Sequence, residues 1–266
     1  MAGKLASQIK KLPRIWRAAL YCQEYLDHYN HFSYDYEING EKHLLKKLST
    51  LNPKTIFDVG CHTGTWTKAA LTQANSAEFH CFDIAEDSLK QAQASLGANK
   101  NVKLSLAAIS DSDGTIQFRD YGSRSQLNTT LLESSWTEPG NAGKISNIRS
   151  VKGDTYCKDH NISFIDFLKL DCEGADHRAL QGFTSMLEAN KIRLIQFEYG
   201  YTNGDAKFLM RDFFELFCKY GYILAPLRPC GLSFEDWKYE FNDFKSGPNW
   251  VAIIAEDTEM NRLLRG

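Results

Sequence analysis

The chain has 266 residues, 43% of them apolar, and a formal net charge of −2. That length suits one large domain with an elaboration and supplies a full hydrophobic core. The near-neutral balance gives no global pull toward nucleic acid, and no apolar run nears the roughly 18 residues that span a bilayer.

Residues 1–50 are expected to form an N-terminal helical extension. Leu5, Ile9, Leu12, Ile15 and Leu20 recur at three-to-four spacing among basic residues. The pattern fits a helical cap, or a basic amphipathic helix that touches a membrane surface or an acidic partner. It lacks the continuous apolar stretch of a signal peptide.

From Pro53 onward, strands and helices alternate. TIFDVG is the first strand, followed by a helix over 65–75; AEFHCFDI is the second, followed by a helix over 86–96. VKLSLAAI is the third strand. ISFIDFLKLD is the fourth, and ADHRALQGFTSMLEAN its helix, with Leu180, Phe183 and Leu187 on one face. IRLIQFEY is the fifth strand, with a helix over 206–220; GYILAPL and NWVAIIA complete the set. Alternation of this kind, with near-continuous apolar strands, predicts a doubly wound α/β fold. Its sheet is mostly parallel, with about seven strands and the last one antiparallel, and its domain covers 51–266. Residues 120–150 break the rhythm: after a hairpin strand in DSDGTIQFRD they are rich in Ser, Thr, Asn and Gly, as in a lid or binding loop. The seven cysteines contain no C-x-x-C pair and read as small core residues of a reducing, cytoplasmic compartment.

The first strand ends in Asp58, Val59, Gly60, Cys61, His62, Thr63 and Gly64. Glycines there let the backbone turn and approach a ligand. Asp83 ends the second strand, where a carboxylate can accept hydrogen bonds from both hydroxyls of a ribose. The dinucleotide fingerprint G-x-G-x-x-G needs glycine where His62 stands, so a pyrophosphate fits poorly. An acid just before the glycines suits a cationic ligand. S-adenosylmethionine, with an ammonium, a sulfonium and no phosphate, is therefore favoured over NAD.

At this point the chain resembles the FkbM-type methyltransferases, within the Rossmann-like superfamily that uses S-adenosylmethionine. FDVGCHTG is similar to that family's D-x-G-x-x-x-G loop, NVKLSLAAISDSDG to its third strand and turn, and FLKLDCEGAD with LQGF to its K-x-D-x-E-G-x-E block. The chain departs from the usual pattern at Cys61-His62, at Asp83-Ile84 and at Asp176. The resemblance implies methylation of a hydroxyl on a sugar, a glycan or a natural product. It implies that Asp58, Gly60 and Gly64 line the methionine end of the donor, that Asp83 holds the ribose, and that Ala108 and Ile109 pack near the adenine.

Methyl transfer to a hydroxyl needs alignment, exclusion of water, and a base to receive the proton. Asp171 and Glu173 at the end of the fourth strand, Glu198 at the end of the fifth, and His62 are the catalytic candidates. A lysine inside an apolar strand needs a partner, so Lys169 is expected to pair with a nearby acid. Three acids at adjoining strand ends could hold a divalent cation, though no metal site is assigned. His177 is expected at the surface, and Trp136, Tyr199, Tyr201 and Trp250 are read as ordinary packing residues before sugar-stacking ones. Two other functions fit the same sheet: a nicotinamide-dependent oxidoreductase, and a non-catalytic binding protein.

Overall fold

Successive residues of a strand point to opposite faces of its sheet, so a strand apolar at every position must be covered on both sides. In the computed structural model, which describes residues 13–29, 35–97, 99–132, 143–228, 231–244 and 247–265, two cores meet that requirement. Ile56, Phe167 and Leu194 enter one core, while their neighbours Phe57, Leu168 and Ile195 enter the other. All six are fully buried.

The strands are β1 (Thr55–Val59), β2 (Glu78–Asp83), β3 (Val102–Leu106), β4 (Ala108–Ile109), β5 (Gly114–Asp120), β6 (Lys144–Val151), β7 (Ile165–Leu170), β8 (Ile192–Glu198), β9 (Tyr222–Pro226) and β10 (Asn249–Ile254). Seven form one sheet in the order β3-β2-β1-β7-β8-β10-β9. All its pairings are parallel except those of β10, which runs antiparallel to β8 and β9, as expected of the last strand. The chain reverses direction across the sheet between β1 and β7. In a doubly wound sheet, the carboxyl ends on either side of that switch form a crevice for ligands.

The helices are α1 (Pro13–Tyr29), α2 (Glu41–Ser49), α3 (Thr65–Gln73), α4 (Glu86–Leu96), α5 (Gly153–Asp159), α6 (Asp176–Gln181), α7 (Thr184–Glu188), α8 (Tyr201–Ala206), α9 (Met210–Lys219) and α10 (Thr258–Arg265). Within the expected extension, α2 buries Leu44, Leu45 and Leu48 in the same core as Ile56 and Phe167. Leu5, Ile9 and Leu12 lie outside the described residues, as do Trp136 and Cys230.

Four expectations are corrected. VKLSLAAI is not one strand. Its first half is β3; Ala108 and Ile109 form β4, in a second sheet of order β4-β6-β5. The loop over 120–150 is not loop throughout, because its end, Lys144–Val151, pairs along all of β5 as β6. The helix after β7 breaks between α6 and α7, and Gly182 there lies so close to Ser110 that a Cβ would overlap the Ser110 carbonyl oxygen. The helix expected over 206–220 is α9, which starts at Met210, and a separate short helix, α8, precedes it. Of the cysteines, Cys61, Cys81 and Cys157 are buried as small core residues, Cys172 is half-buried, and Cys22 and Cys218 are exposed.

Candidate active site

The carboxyl ends of β1, β2 and β7, with β4 beside them, surround a cavity of about 200 Å³. Gly60 makes its floor. Its φ is +85°, and a Cβ would overlap the carbonyl oxygen of Asp171 on the neighbouring strand, so only glycine fits. The backbone N–H groups of Gly60 and Cys61 both donate to the Phe82 carbonyl, which ties the loop after β1 to β2. His62 also has a positive φ, +47°. That turn aims its N–H at Asp83 Oδ2, 2.7 Å away, while Asp83 Oδ1 accepts from the Ala85 N–H at 2.8 Å. Burial raises the Asp83 pKa, and those N–H donors pull it back toward the charged form. The carboxylate is thus fixed at the cavity wall, with lone pairs left for further donors. Phe82, Ile84, Ala107, Ala108 and Ile109 give the cavity an apolar side next to Asp83.

The roof comes from the segment after β5. A 3₁₀ turn, Gly122–Leu127, places Ser125 and Gln126 against the cavity, and Asn128 and Thr130 follow. The Ser125 hydroxyl lies 3.1 Å from His62 Nε2 and 2.9 Å from the Ser88 hydroxyl on α4. Thr129 donates to the Glu173 carbonyl at 2.9 Å. The roof is therefore hydrogen-bonded to the first loop on one side and to the acidic strand end on the other.

The opposite end is acidic. Asp171, Glu173 and Glu198 bring one carboxylate oxygen each within 4.8 Å of one another. Asp171 and Glu173 line the cavity, and Glu198 stands behind them. Asp176, fully buried, joins the cluster from the first turn of α6. Its oxygens accept from the N–H groups of Cys172 and Glu198, both at 3.3 Å. Burial, then repulsion from Asp171 and Asp176, pushes Glu173 up to about 8. Burial and Asp171 push Asp176 up to about 7, and burial with the neighbouring acids holds Glu198 well above the carboxylate range. Carboxyl groups packed this closely are coupled and titrate as a set. Oxygens at this spacing could equally share a divalent cation.

Lys169 lies in register with Asp58 on β1 and Gln196 on β8. Its ammonium is 2.9 Å from Asp171 Oδ2 and 3.7 Å from Asp58 Oδ1, the pairing expected of a lysine inside an apolar strand. Burial alone would lower its pKa, but Asp171, Asp58 and Glu41 outweigh that and hold it charged. Gln196 donates to Glu41 Oε1 at 2.7 Å, so the first turn of α2 is tied into the same row.

Of the ten residues singled out from the sequence, His62, Gly60, Asp83, Ala108, Ile109, Asp171 and Glu173 meet at this cavity. Asp58 does not. It is fully buried behind the wall, where the Thr67 hydroxyl donates to its Oδ2 at 2.5 Å. Gly64 also stands back; its φ of +76° starts α3, and it packs on Ala92 and Leu96. His177 is not at the surface: it is buried and stacked on Phe208 with ring centroids 4.8 Å apart. Tyr199 and Trp250 are core residues, and Tyr201 is exposed. The roof residues had no signal beyond the composition of their loop. Asp176 had one, a carboxyl three residues after Glu173, but nothing in the sequence marked it as buried.

The family profile of the Methyltransferase FkbM domain matches residues 58–224, more than half of the chain. A 2-O-methyltransferase, NoeI, of Sinorhizobium fredii (strain NBRC 101917 / NGR234) is 25% identical over 154 residues, covering 54% of this chain and 62% of its own length. The chain thus spans less than two thirds of that curated relative. A solved methyltransferase FkbM from Methylobacillus flagellatus KT superposes with a TM-score of 0.46 at 12% identity, over 76% of this chain and 43% of that one. A TehB-like SAM-dependent methyltransferase from Corynebacterium glutamicum superposes with a TM-score of 0.38 at 12% identity, over 79% and 85%. By the span of the profile match, which runs from the acid before the glycine loop through both acidic strand ends into β9, the chain belongs to the FkbM methyltransferase domain family.

Proposed function

We propose that the protein is an S-adenosylmethionine-dependent O-methyltransferase that acts on a hydroxyl of a sugar, a glycan or a natural product. The observation that carries this reading is a single cavity with a fixed carboxylate and an apolar wall at one end and a cluster of carboxyl groups at the other. The relative named a 2-O-methyltransferase supports a hydroxyl acceptor. The near-neutral charge favours a small molecule or glycan over nucleic acid. The free cysteines among the described residues, Cys61, Cys81 and Cys157 buried among them, support a cytoplasmic setting.

The residues present fit the donor. Asp83 would accept from the ribose hydroxyls, and Ile84, Ala108 and Ile109 would cover the adenine. Gly60 would let the methionine end lie on bare backbone. Bound there, the donor supplies an electrophilic methyl on a sulfonium. Asp58 acts from behind the wall, holding Lys169 and so the direction of Asp171. Gly64 sets the start of α3. Ser125 and its neighbours close the cavity over the reacting atoms and exclude water. Asp171 and Glu173 face the acceptor side, and one of them takes the hydroxyl proton as the oxygen attacks. A carboxylate raised toward 8 is a stronger base than an ordinary one and is charged only as pH rises through that value. Burial, with repulsion from Asp171 and Asp176, holds Glu173 in that range. His62 is bound at both N–H and ring, so its role is to fix Asp83 and the roof.

Calorimetric titration with S-adenosylmethionine, S-adenosylhomocysteine and NAD tests the donor. The two sulfur compounds should bind and NAD should not; the reverse order would sink the reading. A screen of hydroxyl acceptors with labelled donor, run with and without a chelator, then tests the acceptor class. Activity lost to the chelator and restored by a divalent cation would assign the carboxyl cluster to a metal instead of a proton.

A further inference from the structure

We propose that α1 is a peripheral membrane helix that seats the protein on anionic phospholipid. Ten large apolar side chains are exposed among the described residues, and four of them belong to this one helix: Trp16 at 68%, Leu20 at 46%, Tyr21 at 73% and Tyr25 at 67%. All residues from 16 to 25 are exposed. None of residues 16–25 enters the two cores that the rest of the fold builds. Concentrated apolar exposure of this kind marks an interaction surface.

The spacing organises that surface. Trp16 and Leu20, four residues apart, share one face of the helix. Arg17, Tyr21 and Tyr25, again four apart, share the next. A helix lying in a bilayer interface uses these types: the indole and aliphatic groups enter the acyl boundary, while Tyr and Arg reach the headgroups. No groove is needed on the partner, which suits a segment exposed at every position from 16 to 25.

Charge selects the occupant. Residues 1–23 contain five lysines and arginines, Lys4, Lys10, Lys11, Arg14 and Arg17, and no carboxylate; the first is Glu24. The rest of the chain is net acidic, so the net positive balance lies at this end. A run of cations beside an aromatic helix complements anionic headgroups. No described helix is long and apolar enough to cross a membrane, so contact is with the surface. The proposal is independent of the methyl-transfer reading.

The test is co-sedimentation of the full chain with vesicles of phosphatidylcholine containing about 30% phosphatidylserine, against vesicles of phosphatidylcholine alone. The chain should pellet with the first, stay in solution with the second, and be released by high salt. Arg17→Glu should weaken binding by at least about tenfold. Trp16→Ala combined with Tyr21→Ala should weaken it comparably, with the melting temperature of the body unchanged. Equal binding to both vesicles, no binding to either, or binding untouched by these substitutions overturns the proposal. So does a dimer in solution that the Trp16 and Tyr21 substitutions dissolve, since the helix would then serve a second copy of the chain.

Discussion

At the scale of single residues, the site depends on carboxyl groups held away from their ordinary titration. Glu173 sits at φ +50°, with Gly174 behind it at +89°, so the chain turns back at once and keeps Glu173 beside Asp171 and Asp176. As the proton acceptor, Glu173 would give an ascending limb in kcat/KM as pH rises through about 8. Glu173→Gln should remove that limb and lower kcat by roughly 10²-fold or more, while donor affinity changes little. An unchanged pH profile would exclude Glu173 as the base and leave Asp171. Gly60 makes a different demand. Gly60→Ala introduces a Cβ into the Asp171 carbonyl and a side chain at φ +85°. A loss of about 3 kcal/mol or more is expected in denaturant unfolding, together with loss of donor binding.

At the scale of elements, much of the sheet could be read in the sequence because buried strands announce themselves. The apolar runs TIFDV, EFHCFD, IDFLKL and IRLIQFE became β1, β2, β7 and β8, and the acids at the ends of the last three lie in or beside the crevice. What could not be read depends on partners distant in sequence. KISNIRSV, with its alternating and largely exposed pattern, becomes a strand only because β5 pairs with it. VKLSLAAI looks continuous, yet Ala107 marks where it leaves one sheet for the other. The tie between α2 and the site belongs to this class as well. Glu41 is buried, accepts from Gln196 and Asn39, and adds to the charge that holds Lys169 protonated. Nothing near Glu41 in sequence signals any of this. Glu41→Ala should leave the Gln196 amide short of its best acceptor and cost about 1–3 kcal/mol. Glu41→Gln keeps the shape, so a melting temperature near wild type with weakened catalysis would show that the charge on Glu41 reaches Lys169. A normal kcat in Glu41→Gln would restrict the residue to a structural role.

At the scale of the whole molecule, two buried groups should bend stability in opposite directions with pH. His80 is 1% exposed, its Nδ1 lies 2.9 Å from the Tyr156 hydroxyl, and burial pulls it down to about 4. The folded form refuses a proton that the unfolded chain accepts below its ordinary value near 6.5. Stability therefore falls as pH drops from about 6.5 to about 4, by up to about 3 kcal/mol from this residue. The carboxyl cluster has the other sign. Glu173 keeps its proton up to about 8 in the folded protein, where the unfolded chain gives it up near its model value of 4.5. Stability from that group is complete below the unfolded value and is lost as pH climbs toward 8, with Asp176 and Glu198 adding in the same direction. The two limbs overlap between about pH 4.5 and 6.5, where they oppose each other, and above that the carboxyl limb acts alone. His80→Gln should flatten the acid limb alone. Glu173→Gln should flatten the alkaline limb and raise the melting temperature at pH 8 by about 2–5 °C, even as it removes activity. A Glu173→Gln protein that is less stable than wild type at pH 8 would mean that the charged cluster is compensated in the folded state, and a bound cation would then be the group to seek.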